Sequence, residues 1–168
     1  VALSLEANGC PVLLLEAGGD KRRSQPPPSP EIRIEDPSVH APLAERLKVL
    51  DAAPDMVSLT MGTTNFGDDV FMNPWPFVKE LYQLALERGV APEFELFDLG
   101  QVHALGRLLR EFGPPAGGRV HVDFVMGVPG GMPGTTPALV AGVQALPPEV
   151  ASWSATGIGR SPLDVAMA

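Results

Sequence analysis

PEFELFDLG, residues 92–100, decides how the chain is read. Phe94 and Leu96 alternate with Glu93 and Glu95, which makes the stretch a strand with two unlike faces, because successive side chains of a strand point to opposite sides. Glu93, Glu95 and Phe97 share one face, and Phe94, Leu96 and Asp98 the other. An ionised carboxylate buried without a partner is very costly, so such groups are paired, hydrogen-bonded or metal-bound. Glu95 is therefore a candidate site residue, whereas Glu93 at the strand mouth reads as solvated. Asp98 ends the strand just before the next helix, where it suits a helix cap better than a site role.

Working outward, the same strand-then-helix unit recurs. PVLLLEAGGD (11–20) reads as a buried strand, and residues 21–42, with QPPPSP at 25–30, as an irregular polyproline-type connector. A helix is predicted over 43–53 from Leu43, Leu47 and Leu50, and a strand over 55–60. MGTTNFGDDVFMN then reads as a loop, and Asn73-Pro74 as the cap and first turn of a helix ended by Gly89. The strand at 93–97 follows, then a helix at 101–112, a strand at 121–126, a helix near 136–145, a strand at 152–156 and the start of a helix at Pro162. Strict alternation implies parallel strands with right-handed crossovers. Each strand leads into a loop rich in Gly, Thr, Asn or Asp, as for a (β/α) barrel with its site at the carboxyl ends of the strands. A doubly wound sheet obeys a similar rule. An eightfold barrel takes roughly 250 residues, so five strands in 168 residues amount to about five of eight βα units. The expected organisation is a poorly matching strand and Pro-rich segment at 1–42 and the central part of a (β/α)8 TIM barrel at 43–168.

Composition narrows the function classes. The net charge of −8 argues against nucleic acid or an anionic membrane as the main partner. Cys10 is the sole cysteine, so no internal disulfide or thiolate cluster forms, and Cys10 reads as a small buried apolar residue. No uncharged apolar run reaches membrane-span length and no signal peptide is visible, which makes a cytoplasmic protein the expectation. The chain starts on Val1 and stops in LDVAMA, and both ends look cut.

Candidate chemistry lies mainly after the strands. Ser58 and Thr60 share a strand face, and Thr63, Thr64 and Asn65 follow, a set of neutral hydrogen-bonding groups suited to a carboxylate or carbonyl substrate and also to turns. Asp68-Asp69 reads as a solvated loop feature. GVPGGMPG (127–134), with Gly130 and Gly131, lets backbone approach a ligand closely, but it is not a Walker loop. Arg160 in GIGRSP either meets an anion at the next helix or is solvated. His40, His103 and His121 are scattered, so a metal site made from this chain alone is not expected.

PDMVSLTMGTTNFGDDVFMN, GVAPEFELFDLG, HVDFVMGVPGGMPG and SWSATGIGR occur in that order. Together they resemble the β-keto acid cleavage enzymes, the family of the 3-keto-5-aminohexanoate cleavage enzyme of lysine fermentation, from about Glu45 to Ala168. The resemblance implies a (β/α) barrel with catalytic Zn2+ that converts a β-keto acid and acetyl-CoA to acetoacetate and a new acyl-CoA. It implies that Glu95 is the active-site glutamate, that Ser58 contacts substrate, that Thr60, Thr63 and Asn65 lie in the substrate region, and that Gly130 and Gly131 border the site. The family's His-x-His and Glu-Asp-Asn zinc motifs, and an arginine after a late Gly-Gly-His, are not in this chain. Where the family carries Ser/Thr-Thr-Gly-Gly, this chain has Glu16-Ala17-Gly18-Gly19, and the insertion at 25–30 is unusual. LSLEANGCPVLLLEAGGD also resembles the second strand of a flavin-binding oxidoreductase, without the glycine fingerprint that precedes it there. The alternative to an enzyme is a non-catalytic half-barrel remnant or interaction subunit. Little tightly bound zinc and little turnover are expected of the chain by itself, and unpaired outer strands are expected to drive association, as a homo-oligomer.

Overall fold

A computed structural model describes residues 42–115 and 117–159. The strand expected at 11–20, Cys10, Glu16, the proline segment at 25–30, His40, Arg160 and the helix expected from Pro162 lie outside the described residues. The elements run α1 (Leu43–Arg46), a 3-10 helix (Leu47–Ala52), β1 (Met56–Thr60), β2 (Thr64–Phe66), β3 (Asp69–Phe71), α2 (Trp75–Arg88), β4 (Ala91–Leu96), α3 (Leu99–Phe112), β5 (Val120–Met126), α4 (Thr136–Gln144) and β6 (Val150–Gly157).

Four strands form one parallel sheet in the order β1-β4-β5-β6, and β2 and β3 make a separate antiparallel pair. The four strands are neighbours in the order in which the chain makes them. A doubly wound sheet reverses its order at a switch point, and the described sheet has no reversal. Its two faces also differ, one apolar and packed on helices and the other lined with hydroxyls and acids. Leu59, Phe94, Leu96, Val122, Phe124 and Met126 point to one face and are almost wholly buried. They form one core with Phe77, Val78, Leu81 and Tyr82 of α2, with Val102, Leu105, Leu108 and Leu109 of α3, and with Leu139 of α4. Burying a side chain of this kind is worth roughly 1.5–3 kcal/mol, so this single layer of contacts supplies most of the driving force. The fit is tight. A Cβ added at Gly142 of α4 would lie 2.8 Å from the Phe124 ring, so glycine is what lets α4 settle on β5. The fold is thus α/β, part of a (β/α)8 barrel, with the polar face turned to where a barrel interior lies.

Helix ends follow local chemistry. Asp98 caps α3, its Oδ1 accepting from the Gln101 backbone N–H at 2.9 Å. Gly89 ends α2 at φ 69°, a left-handed turn that glycine adopts without strain. Three local expectations are corrected. The helix expected at 43–53 is four α-helical residues followed by a 3-10 helix that stops at Ala53, itself left-handed at φ 48°. Leu50 is its one buried residue, so little packing holds a longer regular helix there. Asn73 does not cap α2. Pro74 occupies the cap position with no side-chain bond, because the Asn73 amide is drawn away by Arg46. The loop after β1 contains a hairpin, with Gly67 at φ 68° opening its turn.

Arg46 is the pin of this region. Its guanidinium donates to the Met72 carbonyl and to Asn73 Oδ1, each at 2.6 Å. It lies 4.7 Å from the Phe71 ring centre and 4.6 Å from that of Phe77. One cation therefore ties α1 to the end of the hairpin and the start of α2, and partial burial lowers its pKa without a carboxylate in the set. Arg46→Ala is expected to destabilise the chain by about 2–3 kcal/mol, from two lost charged hydrogen bonds and the ring contacts. Arg46→Lys should recover less than half of that, because an ammonium cannot reproduce the planar fork. Urea unfolding midpoints measure both.

Candidate active site on the polar sheet face

The residues opposite the core alternate with it, and parallel register stacks them in rows. Ser58, Glu93, His121 and Ser152 are aligned partners across the four strands. Nearer the carboxyl ends, Thr60, Glu95, Asp123 and Ser154 form the next row. Hydroxyls thus flank carboxylates and an imidazole. Thr60 is buried, Glu93, Glu95, His121 and Asp123 are half-buried, and Ser58 and Ser152 are exposed.

Hydrogen bonds tie these rows into two groups, the Thr60–Glu95 pair and a set centred on His121 and Asp123. Thr60 Oγ1 donates to Glu95 Oε2 at 2.6 Å. Ser154 and Thr156 donate to the two oxygens of Asp123, each at 2.8 Å. His121 Nδ1 is 2.8 Å from Ser152 Oγ, and its Nε2 is 3.3 Å from Ser154 Oγ and 3.6 Å from Glu93 Oε1. Burial raises the Glu95 pKa above its usual 4.5, the Thr60 hydrogen bond opposes this, and the charges of Asp123 and Glu93 add to the rise. Burial and the charge of Asp123 likewise raise Glu93. Burial lowers His121 below 6.5, against the pull of Asp123. Carboxyls held up and an imidazole held down suit proton transfer near neutral pH.

The rim above this face is built from backbone bonds between loops. Met132 N–H donates to the Phe97 carbonyl at 2.6 Å, and Gly67 N–H to the Pro129 carbonyl at 3.0 Å. A Cβ at Gly130 would collide with the Asn65 carbonyl, and one at Gly131 would lie 2.9 Å from the Phe97 carbonyl. The structure therefore brings Asn65 together with Gly130, and Gly131 together with the end of β4. Their small size has a packing reason in addition to any ligand contact. Thr63 is exposed, and its Oγ1 accepts from the Asn73 N–H at 2.9 Å. Asp68 and Asp69 are exposed at the hairpin turn, and His103 is exposed on α3, away from both groups.

Three members escaped the residue-by-residue reading. His121 and Asp123 are odd positions in HVDFVM, and the alternation that singled out Glu95 places them on the same face. Gln101 is buried. Its Oε1 accepts from the Phe97 N–H at 2.9 Å and its Nε2 donates to Thr64 Oγ1 at 2.7 Å. It thereby ties β4, the hairpin and α3 together. An amphipathic helix pattern carries no signal for it. Among the described residues no three or more His, Cys, Asp or Glu side chains are placed to hold a metal ion. The described part therefore does not fit a complete zinc site. Among the same residues, no helix is long and apolar enough to cross a membrane.

The raised carboxyl has a stability consequence. The folded state binds the Glu95 proton more tightly than the unfolded chain does, so stability falls as pH rises from 4.5 through the raised pKa. His121 acts oppositely, because its neutral form is favoured by folding and its contribution grows as pH rises toward 6.5. Glu95→Gln keeps an acceptor for Thr60 and removes the charge. It is expected to stabilise the chain by about 0.5–2 kcal/mol at pH 8. The gain should shrink as pH falls through the Glu95 titration, as read by denaturant unfolding at several pH values.

Residues 32–168 match the family described as BKACE, beta-keto acid cleavage enzyme. The 3-keto-5-aminohexanoate cleavage enzyme of Fusobacterium nucleatum is 34% identical over 125 residues, 73% of this chain and 43% of that protein. The enzyme of the same name from Acetoanaerobium sticklandii is 33% identical over 127 residues, 73% of this chain and 44% of its own. The 3-oxoadipate:acetyl-CoA acetyltransferase of Cupriavidus necator is 34% identical over 125 residues, again 73% of this chain and 43% of its own. The match thus spans less than half the length of each relative. With the aligned strands, the acidic row at their carboxyl halves and this match over most of the sequence, the chain belongs to the β-keto acid cleavage enzyme family.

Proposed function

We propose that the chain forms the central part of the active site of an enzyme that takes a β-keto acid and acetyl-CoA to acetoacetate and a new acyl-CoA. Family membership supports the reaction class. The observation that carries the reading is Glu95, a half-buried carboxyl with a raised pKa, bonded to Thr60 on the polar face. In this role Glu95 accepts a proton from the methylene between the keto and carboxylate groups. The carbanion adds to the acetyl carbonyl of acetyl-CoA and expels CoA thiolate. The thiolate attacks the original keto carbon, the bond from that carbon to the former methylene breaks to leave the acyl-CoA, and Glu95 returns its proton to the acetoacetate carbanion released. Thr60 holds the Glu95 carboxylate in place during proton transfer. In this reading Ser58, exposed on the same face, and Asn65, on the hairpin rim, meet the substrate's oxygens, and Thr63, Gly130 and Gly131 border them; the close approach of Gly130 to Asn65 supports it. Zinc belongs to the proposal as a group whose ligands come from beyond the described residues. Cytoplasmic location and a homo-oligomer complete it.

The test is a chimera in which residues 43–159 replace the matching segment of a full-length relative. It is assayed for acetoacetate release with acetyl-CoA and either 3-keto-5-aminohexanoate or 3-oxoadipate. Turnover is expected, and Glu95→Gln is expected to reduce kcat at least about 100-fold, the scale of a lost general base. A folded chimera that releases no acetoacetate would contradict the reading and favour a non-catalytic half-barrel.

A further inference from the structure

We infer that Asp123 is a positioning residue for this chemistry, whose carboxylate, directly across from Glu95 on the neighbouring strand, adds to burial in setting how readily Glu95 takes and releases its proton. The role rests on the reading of Glu95 as the group that handles the proton.

Three observations carry it. Glu95 and Asp123 are register partners on adjacent parallel strands, which places their backbones about 4.8 Å apart with side chains on the same face. The Asp123 carboxyl is also held still, because Ser154 and Thr156 of β6 donate to its two oxygens at 2.8 Å each. Both oxygens act as acceptors, so the group presents charge and no hydrogen toward its neighbour. Glu95, by contrast, has Thr60 on one oxygen, Oε2, at 2.6 Å. Of two facing acids, one is clamped by hydroxyls and the other is only half engaged. The less engaged acid is the one free to carry a proton, as in other sites where like charges cannot both remain ionised.

The surroundings of Glu95 can be enumerated by element. β1 contributes the hydroxyls of Ser58 and Thr60, β4 contributes Glu93, β5 contributes His121 and Asp123, and β6 contributes the hydroxyls of Ser152, Ser154 and Thr156. Glu93 lies on the same strand one row away, its Oε1 3.6 Å from His121 Nε2. Among the described residues, Asp123 is the carboxylate in register with Glu95 on the adjoining strand. The direction of its effect agrees with the raised affinity of Glu95 for its proton.

Side-chain carboxyl NMR of the 168-residue chain follows the Glu95 titration directly and needs no turnover. Asp123→Asn is expected to move the Glu95 midpoint to lower pH, and Glu93→Gln to move it less. If Asp123→Asn does not fold, judged by its amide spectrum, Asp123→Gln gives the same reading. An unmoved Glu95 midpoint, or a larger shift from Glu93→Gln, overturns the assignment. In the chimera, Asp123→Asn should shift the acid limb of kcat/KM to lower pH while leaving KM within about twofold. A merely structural role would lower activity without moving that limb. A silent chimera with a shifted NMR midpoint would reject the proposed reaction and keep the Asp123–Glu95 coupling. An active chimera with an unshifted midpoint would do the reverse.

Discussion

Glu95 and Asp123 stand across from each other on neighbouring parallel strands, on the face opposite the helices. The other constraints of the structure meet at this pair. A parallel strand alternates, so acids on one side require apolar residues on the other. Phe94 and Phe124 meet that requirement within the helix-packed core. Register does the rest. A slip of one residue in either strand would set a phenyl ring against a carboxylate and turn an acid into the core. The helix-side packing that stabilises the fold is therefore also what aligns the acidic row. Its tightness at Gly142 against Phe124 leaves little freedom to realign.

The same arrangement explains why the polar face is costly and is retained. Half-buried acids with raised proton affinities oppose folding at neutral pH. Thr60, Ser154 and Thr156 offset part of that cost by hydrogen bonding, and the core behind the strands provides the surplus. Rigidity at the rim comes from elsewhere. Gln101 locks β4, the hairpin and α3 together, Arg46 fixes the far end of the hairpin, and the glycine loop closes on Asn65 by lacking side chains. The rim is thus defined by protein–protein contacts before any ligand arrives.

Much of the fold was legible because its signals are periodic. The alternation in PEFEL, the succession of strands and helices after it and the capping role of Asp98 were each visible in the residues, and β4, α3 and β5 lie within about two residues of where these patterns put them. What was not legible depends on residues far apart in sequence. Arg46 captures the Asn73 amide from 27 positions away, so the local capping preference loses to a long-range charged bond. The hairpin of β2 and β3 was hidden because its strands are three residues each, although Gly67-Asp68 between Phe66 and Asp69 is a turn signal. In the site, Glu95 was legible as an acid in an apolar strand. Asp123 needed the register as well, since only pairing with β4 makes it a neighbour.

The direct measurement of the central interaction is a double-mutant cycle on unfolding free energy with Glu95→Gln and Asp123→Asn, run at pH 8 and repeated in acid. Two facing charges predict that the double variant is less stable than the sum of the single changes by about 0.5 kcal/mol or more at pH 8. This coupling should vanish in acid, where Glu95 carries its proton. Additive effects at both pH values would mean that the two carboxyls do not feel each other, and would contradict the account.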